Sequence, residues 1–351
     1  MLGLFPAFTP NGGGIQVSGK IAWSGIVAQA ARRNTQSTLF LYGGDVIESI
    51  SGERIVTAHS KSEAIRTALR IRCSIQDVLV WHLSFLQLLP FMRSGRARAV
   101  LFLHGIEAWK PLGWLPRALL RRVDLFLSNS DYTWERFLVN NPTYRAAPHR
   151  TVHLGIGTPL GVTPEPPLSP PAALMIGRLA RGENYKGHRE MIAVWPAVRQ
   201  QVPTAELWIV GDGDLRPELE TLVSALGMQC GIWFFGRVSD EEKEQLLQRC
   251  RVMVLPSRGE GFGLVYLEAM RVGRPCLVST LDAGSEVVNP PEAGLSVNPD
   301  DPLALADAIC QLLTLGSEWR RWSKQARCRY ERYFTAAHFQ RRLVEAIWST
   351  P

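Results

Sequence analysis

The sequence predicts an α/β fold built from two doubly wound domains. Three observations predict it: strand-like and helix-like segments alternate, the alternation runs twice, and a proline-rich stretch separates the two series. In the first series, residues 2–8, 38–42, 78–81, 99–103 and 125–129 are short apolar runs that read as strands buried on both faces. Between them, 15–33, 62–70 and 115–123 read as helices. Residues 158–171 (TPLGVTPEPPLSPP) read as a stiff connection. The second series has strands at 173–176, 206–210, 233–235, 252–255 and 276–279, with helices near 187–201, 214–227, 240–250 and 264–272. The expected division is 1–160, a linker at 161–172, a second domain at 173–330 and a C-terminal segment at 331–351, with a last helix near 338–349. Two such domains place a central ligand cleft between them, at the carboxyl ends of their strands.

Composition sets the class. With 351 residues, 46% hydrophobic and 20% charged, the chain has enough material for two cores and an ordinary globular balance. The N-terminus, MLGLFPAF, has no basic leader, and the longest apolar run, 77–92, is interrupted by His82, Gln87 and Pro90. A cytoplasmic protein is expected. The six cysteines form no C-x-x-C pair, so reduced and mostly buried thiols are expected. Charge is uneven: residues 1–160 hold 18 Lys and Arg against 9 Asp and Glu, and the remainder holds 21 against 23. This asymmetry points to an anionic surface or partner. Arg93, Arg96 and Arg98 cluster after an apolar run, and Arg117, Arg121 and Arg122 share a helix with Trp114, Leu115, Leu119 and Leu120. Basic groups beside aromatics suit the inner face of a membrane; a plain solvated helix face is the alternative. No nucleic-acid recognition module is readable.

The chemistry concentrates at 258–270, RGEGFGLVYLEAM. Seven residues separate Glu260 from Glu268, and Gly261, Phe262, Gly263 and Leu264 lie between a strand and a helix. Glycines there admit a ligand to the backbone, and a helix N-terminus favours an anion. Two carboxylates beside such a site suit hydroxyls next to phosphate, as in a nucleotide sugar. A second cluster, 175–187 (MIGRLARGENYKG), sets Arg178 after a strand and Lys186-Gly187 before a helix. An Arg and a Lys at a helix N-terminus can neutralise a diphosphate leaving group without a metal.

These motifs resemble the retaining family 4 glycosyltransferases of the GT-B fold, two Rossmann-like domains facing a central cleft. The resemblance is strong over 173–300 and weaker over 1–160. It implies that Glu260 contacts hydroxyls of the donor sugar, Glu268 holds the ribose, and Arg178 and Lys186 grip the diphosphate. It further implies that Arg237 and Val238, in FGRV, meet the base through their backbone, and that Gly13 and Gly14 form a loop near the donor phosphates. His104, in LHGIEAW, matches a histidine placed near the donor sugar, and Glu107 in the same loop is a candidate for acceptor hydroxyls. The C-terminal helix is expected to cross back to the first domain.

Several competing motifs fail. Residues 14–20 give G-x-x-x-x-G-K, but Ile21 stands where a P-loop needs Ser or Thr. IVGDGD lacks the third glycine of a dinucleotide fingerprint, and its Asp212 and Asp214 read as a strand-closing turn rather than a metal motif. Ser130 or Asp131 reads as an N-cap. His82, His149, His153, His188 and His338 show no ligand spacing. The expectation is therefore a metal-independent, cofactor-free enzyme. It transfers a hexose from a UDP- or GDP-linked sugar to a lipid-linked or envelope glycan. A nucleotide-sugar epimerase or phosphorylase, or a non-catalytic synthase subunit, is the alternative.

Overall fold

In a computed structural model, residues 1–9, 12–44, 53–71, 75–92, 97–161, 167 and 170–348 are described. Arg93, Arg96, Cys73 and half of the proline-rich stretch lie outside the described residues. The chain divides into two compact units, 1–157 with 336–351, and 158–335.

The first unit is a seven-stranded parallel sheet: β1 (Leu2–Pro6), β2 (Ser37–Tyr42), β3 (Glu53–Ala58), β4 (Asp77–Val80), β5 (Arg98–Leu103), β6 (Leu125–Ser128) and β7 (His149–Thr151). Its order is β3-β2-β1-β4-β5-β6-β7, so the winding reverses between β1 and β4. The second unit has β8 (Ala172–Ile176), β9 (Glu206–Val210), β10 (Ile232–Gly236), β11 (Val252–Leu255), β12 (Cys276–Ser279) and β13 (Gly294–Val297), ordered β10-β9-β8-β11-β12-β13. It reverses between β8 and β11. Each reversal leaves a crevice at the strand ends, where ligands bind in sheets of this kind.

The central strands are continuous apolar runs because helices cover both faces. Leu2, Leu4, Val78, Val80, Val100 and Leu101 are fully buried in the first unit, as are Ala173, Leu174, Val252 and Val254 in the second. Three strands were absent from the expectation: β3, β7 and β13. Each lies at a sheet edge or is very short, so none carries an unbroken apolar run. The helices Pro302–Leu313 and Ser317–Tyr333 were likewise not expected. The second is strongly charged, yet Trp319, Trp322, Ala326 and Tyr330 recur at helical spacing and are buried.

The last helix, Ala336–Trp348, belongs to the first unit. It lies against the helix Gly14–Arg32, where Gly25 leaves room for Gln340: an added Cβ would sit 2.8 Å from the Gln340 side chain. Gln340 donates to the Ile21 carbonyl (3.1 Å) and meets the Ser24 hydroxyl (2.8 Å). Buried Phe339 and Leu343 each contribute roughly 1.5–3 kcal/mol of transfer free energy.

Candidate active site

In the second unit, two loops leave the sheet at its reversal. The first follows β8. Gly177 donates to the Val210 carbonyl (3.0 Å), and residues Arg181–Lys186 make a 3-10 turn. Gly187, at φ +87°, then caps the helix His188–Gln201. A side chain at Gly187 would place its Cβ 2.5 Å from the Pro256 carbonyl oxygen, so both the dihedral and the space require glycine. The second loop follows β11 and ends at Gly263, φ +86°, the cap of the helix Leu264–Arg271. Here the Tyr266 ring occupies the Cβ position, at 2.4 Å, and its hydroxyl donates to the Leu255 carbonyl (3.0 Å). Neither helix has a side-chain N-cap bond, so first-turn amides at both are open to an acceptor.

The loops are tied together. Arg258 donates its backbone N–H to the Tyr185 carbonyl (2.8 Å). Lys186 Nζ lies 3.5 Å from Glu260 Oε2 and 3.6 Å from Glu183 Oε2, and Arg178 pairs with Glu183. Four expected or neighbouring charges thus form one network of two cations and two carboxylates. Their exposures differ. The Arg178 side chain is 77% exposed and that of Lys186 only 15%. Burial works against the Lys186 charge, but Glu260 and then Tyr185 and Glu183 outweigh it and raise its pKa, so it is a fixed cation.

Asp282, after β12, underpins Glu260. Its Oδ2 accepts the Glu260 N–H (3.3 Å), its Oδ1 accepts the Gly284 N–H (2.9 Å), and the Ala283 N–H reaches the Glu260 carbonyl (3.1 Å). Asp282 is 4% exposed, and burial pushes its pKa up to about 8. His188 is also buried, and its pKa falls to about 4, from burial first and Lys186 second. Phe262 is buried and packs edge-on to Phe334 at 6.1 Å. Glu268 sits away from this network in the contacts it makes: its Oε1 pairs with Lys243 Nζ at 3.0 Å. Arg237 is exposed and Val238 half-buried in the turn after β10, just ahead of the Ser239 capping box. Asp212 and Asp214 hold backbone, accepting the Gly213 and Arg181 N–H groups at 2.9 Å each.

The first unit carries the remaining expected residues. Gly13 caps the helix Gly14–Arg32, without a side-chain bond. His104 follows β5 and is 8% exposed. Its Nε2 lies 2.6 Å from the Trp81 carbonyl, which can only accept, so the proton is on Nε2. Burial lowers its pKa to about 4, so the ring is neutral and Nδ1 is an acceptor. Glu107 Oε1 accepts the backbone N–H groups of His104 (2.6 Å) and Gly105 (3.2 Å).

Sequence reasoning missed Glu183, Lys243 and Asp282. A signal existed for Glu183, an acid enclosed by the GR…KG cations. For Asp282 it was weaker, a polar turn directly after a strand. Lys243 sits in a charged helix and had none.

Residues 170–315 match the family described as Glycosyl transferases group 1. The D-rhamnosyltransferase WbpZ of Pseudomonas aeruginosa is 38% identical over 131 residues, 36% of this chain and 34% of that protein. O-antigen chain mannosyltransferase C of Escherichia coli is 32% identical over 157 residues, 44% and 41% respectively. The matched stretch thus spans about two-fifths or less of these curated relatives. Among solved structures, Anabaena HepE in complex with UDP and glucose is similar along 100% of both chains, with a TM-score of 0.76 at 18% identity. That likeness is one of fold: two parallel, doubly wound sheets, the GT-B architecture.

Proposed function

We propose that the chain is a member of the glycosyl transferases group 1 family, whose model residues 170–315 match, and a retaining hexosyltransferase that uses a nucleoside diphosphate sugar. The observation that carries this reading is the Arg178–Glu183–Lys186–Glu260 network between two uncapped helix N-termini. The leaving diphosphate gains charge as the glycosidic bond breaks. Lys186 is already charged and buried beside that position, and the exposed Arg178 side chain can exchange its Glu183 partner for the phosphate. Cations and helix dipoles placed where charge develops lower the barrier without reorganising. Glu260 would orient the sugar through its hydroxyls, Glu268 the ribose, and the Gly261–Leu264 backbone the phosphates. Neutral His104 would accept a hydroxyl proton in a hydrogen bond rather than act as an acid at neutral pH.

The acceptor reading rests on the relatives' names and on the surface of the first unit. WbpZ and the E. coli enzyme are named for D-rhamnosyl transfer and O-antigen chain mannosylation, which favours an envelope or lipid-linked glycan. Trp114 is 81% exposed, and Leu115, Arg117, Arg121 and Arg122 are exposed beside it. Among the described residues, no helix is long and apolar enough to cross a membrane. A peripheral enzyme at the anionic inner leaflet fits this face.

Thermal shift with UDP, GDP and ADP tests the donor class, with UDP the first choice because HepE was solved with it. Stabilisation by none of the three overturns the reading. Lys186 and Arg178 would take the part of a metal, so transfer should persist in EDTA. Loss of activity in chelator, restored by Mg²⁺ or Mn²⁺, would reopen Asp212 and Asp214 as ligands.

A further inference from the structure

Lys243 stands on the helix Asp240–Arg249, facing Glu268 on the helix Leu264–Arg271. Its Nζ is 3.0 Å from Glu268 Oε1 and 3.1 Å from Asp240 Oδ1. The two side chains of the Lys243–Glu268 pair are about equally shielded, at 26% and 24% exposure. The two oxygens of Glu268 differ: Oε1 is anchored, whereas Oε2 is buried and makes no hydrogen bond among the described residues. A buried carboxylate oxygen without a donor is costly unless something supplies one.

We propose that Lys243 is the positioning residue for Glu268: its bond to Oε1 fixes the orientation of the carboxylate that the proposed function sets against the vicinal hydroxyls of a nucleotide ribose. This rests on the nucleotide-sugar reading above and deepens it. An ionised carboxylate accepts through two oxygens, whereas a protonated one gives up part of that capacity. Burial pushes the Glu268 pKa up, and Lys243 is the principal group that opposes this, with Arg271 assisting and Asp240 working against it. Lys243 in turn keeps its proton because Glu268 and Asp240 outweigh its own burial. An ammonium has three donors, so Lys243 can hold both carboxylates and keep one donor in reserve.

The competing reading is a plain helix-to-helix ion pair. It predicts that losing Lys243 weakens all nucleotide binding equally, or only lowers Tm. The positioning role predicts a loss confined to the ribose hydroxyls. The test is calorimetric titration of the full chain with UDP and 2′-deoxy-UDP, and with GDP and 2′-deoxy-GDP, for wild type, Lys243→Met and Lys243→Arg. Wild type should favour the ribonucleotide by about tenfold or more, the size of a hydrogen bond to a charged group. In Lys243→Met the preference should shrink to under about threefold, and Lys243→Arg should restore it. Should Lys243→Met not fold, Lys243→Gln, which keeps a donor without the charge, must show the same narrowing. An unchanged preference in a folded neutral variant overturns the inference, as does a wild type that binds UDP or GDP without preferring the ribose form. Failure of wild type to bind any nucleoside diphosphate would instead overturn the nucleotide-sugar reading.

Discussion

The two units place different kinds of polar group at the carboxyl ends of their strands. In 158–335, the groups are charged side chains paired with one another: Arg178, Glu183, Lys186, Glu260, and separately Lys243 and Glu268. In the first unit, His104 and Glu107 are bound to backbone, through the Trp81 carbonyl and the His104 and Gly105 amides. Ion pairs can exchange one charged partner for another when a charged ligand arrives. A ring locked to a backbone carbonyl can only read shape and hydroxyls. The proposed function accordingly assigns the diphosphate to the second unit and a neutral acceptor to the first. Overall charge divides the other way: the first unit holds 20 basic and 10 acidic residues, the second 19 and 22. The excess of positive charge therefore lies in the first unit, whereas the Arg178 and Lys186 cations of the second are matched by Glu183 and Glu260.

The largest expected effect breaks the charge network. Lys186→Ala should lower transfer by about 10²–10³-fold, the cost of losing a preorganised donor at a site of developing charge. It should also lower Tm, because Glu260 and Glu183 lose a cation they share behind a largely buried side chain. Arg178→Ala should reduce transfer comparably and leave Tm unchanged, since its side chain is mostly in water. An equal fall in Tm for both variants would erase the distinction between a buried and an exposed cation.

Next in size is the exposed basic face around Trp114 of the first unit. Basic groups near an anionic leaflet contribute about 1 kcal/mol each at low salt. Replacing Arg117, Arg121 and Arg122 with Gln should weaken sedimentation with anionic liposomes by roughly a hundredfold and leave UDP binding untouched. Wild type should detach as salt rises. No sedimentation of wild type at low salt would move the acceptor toward a small sugar.

A third comparison sets two buried histidines against each other. Both titrate at about 4 in the folded chain, below the usual value of about 6.5. The unfolded chain therefore binds protons first as pH falls, and the stability present above about pH 6.5 drains away toward pH 4. His188→Leu and His104→Leu should each flatten that acid loss of Tm. At pH 7 they should differ. His188 has no hydrogen-bond partner among the described residues, so its replacement should be close to neutral, whereas His104→Leu strips the Trp81 carbonyl of its donor at a cost of about 1–3 kcal/mol. Equal costs at pH 7 would mean that the His104–Trp81 bond contributes nothing.

What was legible in the sequence follows burial. Central strands such as β4, β5, β8 and β11 are covered on both faces and appear as unbroken apolar runs. The edge strands β3 and β13 alternate or mix with polar residues, and β7 has only three residues. The edge strand β10 was readable because its sequence, IWFFG, is aromatic. In the candidate site, Arg178, Lys186, Glu260 and Glu268 could be singled out because they stand at set spacings from glycines and strand ends. Glu183, Asp282 and Lys243 were not, because their roles lie in partners that only folding brings close. Asp282 is 22 residues from the amide it accepts, and Lys243 is 25 residues from its carboxylate.

The smallest expected effect concerns that hidden Asp282, and it sharpens the contrast between the units. Burial holds its pKa near 8, with the Gly284 amide opposing and the Glu260 charge adding to the rise. Its folded value therefore lies above the unfolded value of about 3.9, so the stability linked to its proton is complete below that value and is lost as pH rises through about 8. Over the same interval a second negative charge appears beside Glu260, where the donor phosphates are proposed to bind. At a separation of several ångströms under partial screening this costs the diphosphate about 0.5–1 kcal/mol, or roughly two- to fivefold in affinity. UDP affinity should decline by that factor between pH 7 and pH 9 in wild type. Asp282→Asn stays neutral and keeps an oxygen for the Gly284 amide, so its affinity should stay level across the interval. His104, which titrates near 4, cannot produce such an alkaline limb, so the limb would belong to the second unit. If Asp282→Asn shows the same decline, another group in the donor site carries it, and Asp282 merely holds the Glu260 backbone in place.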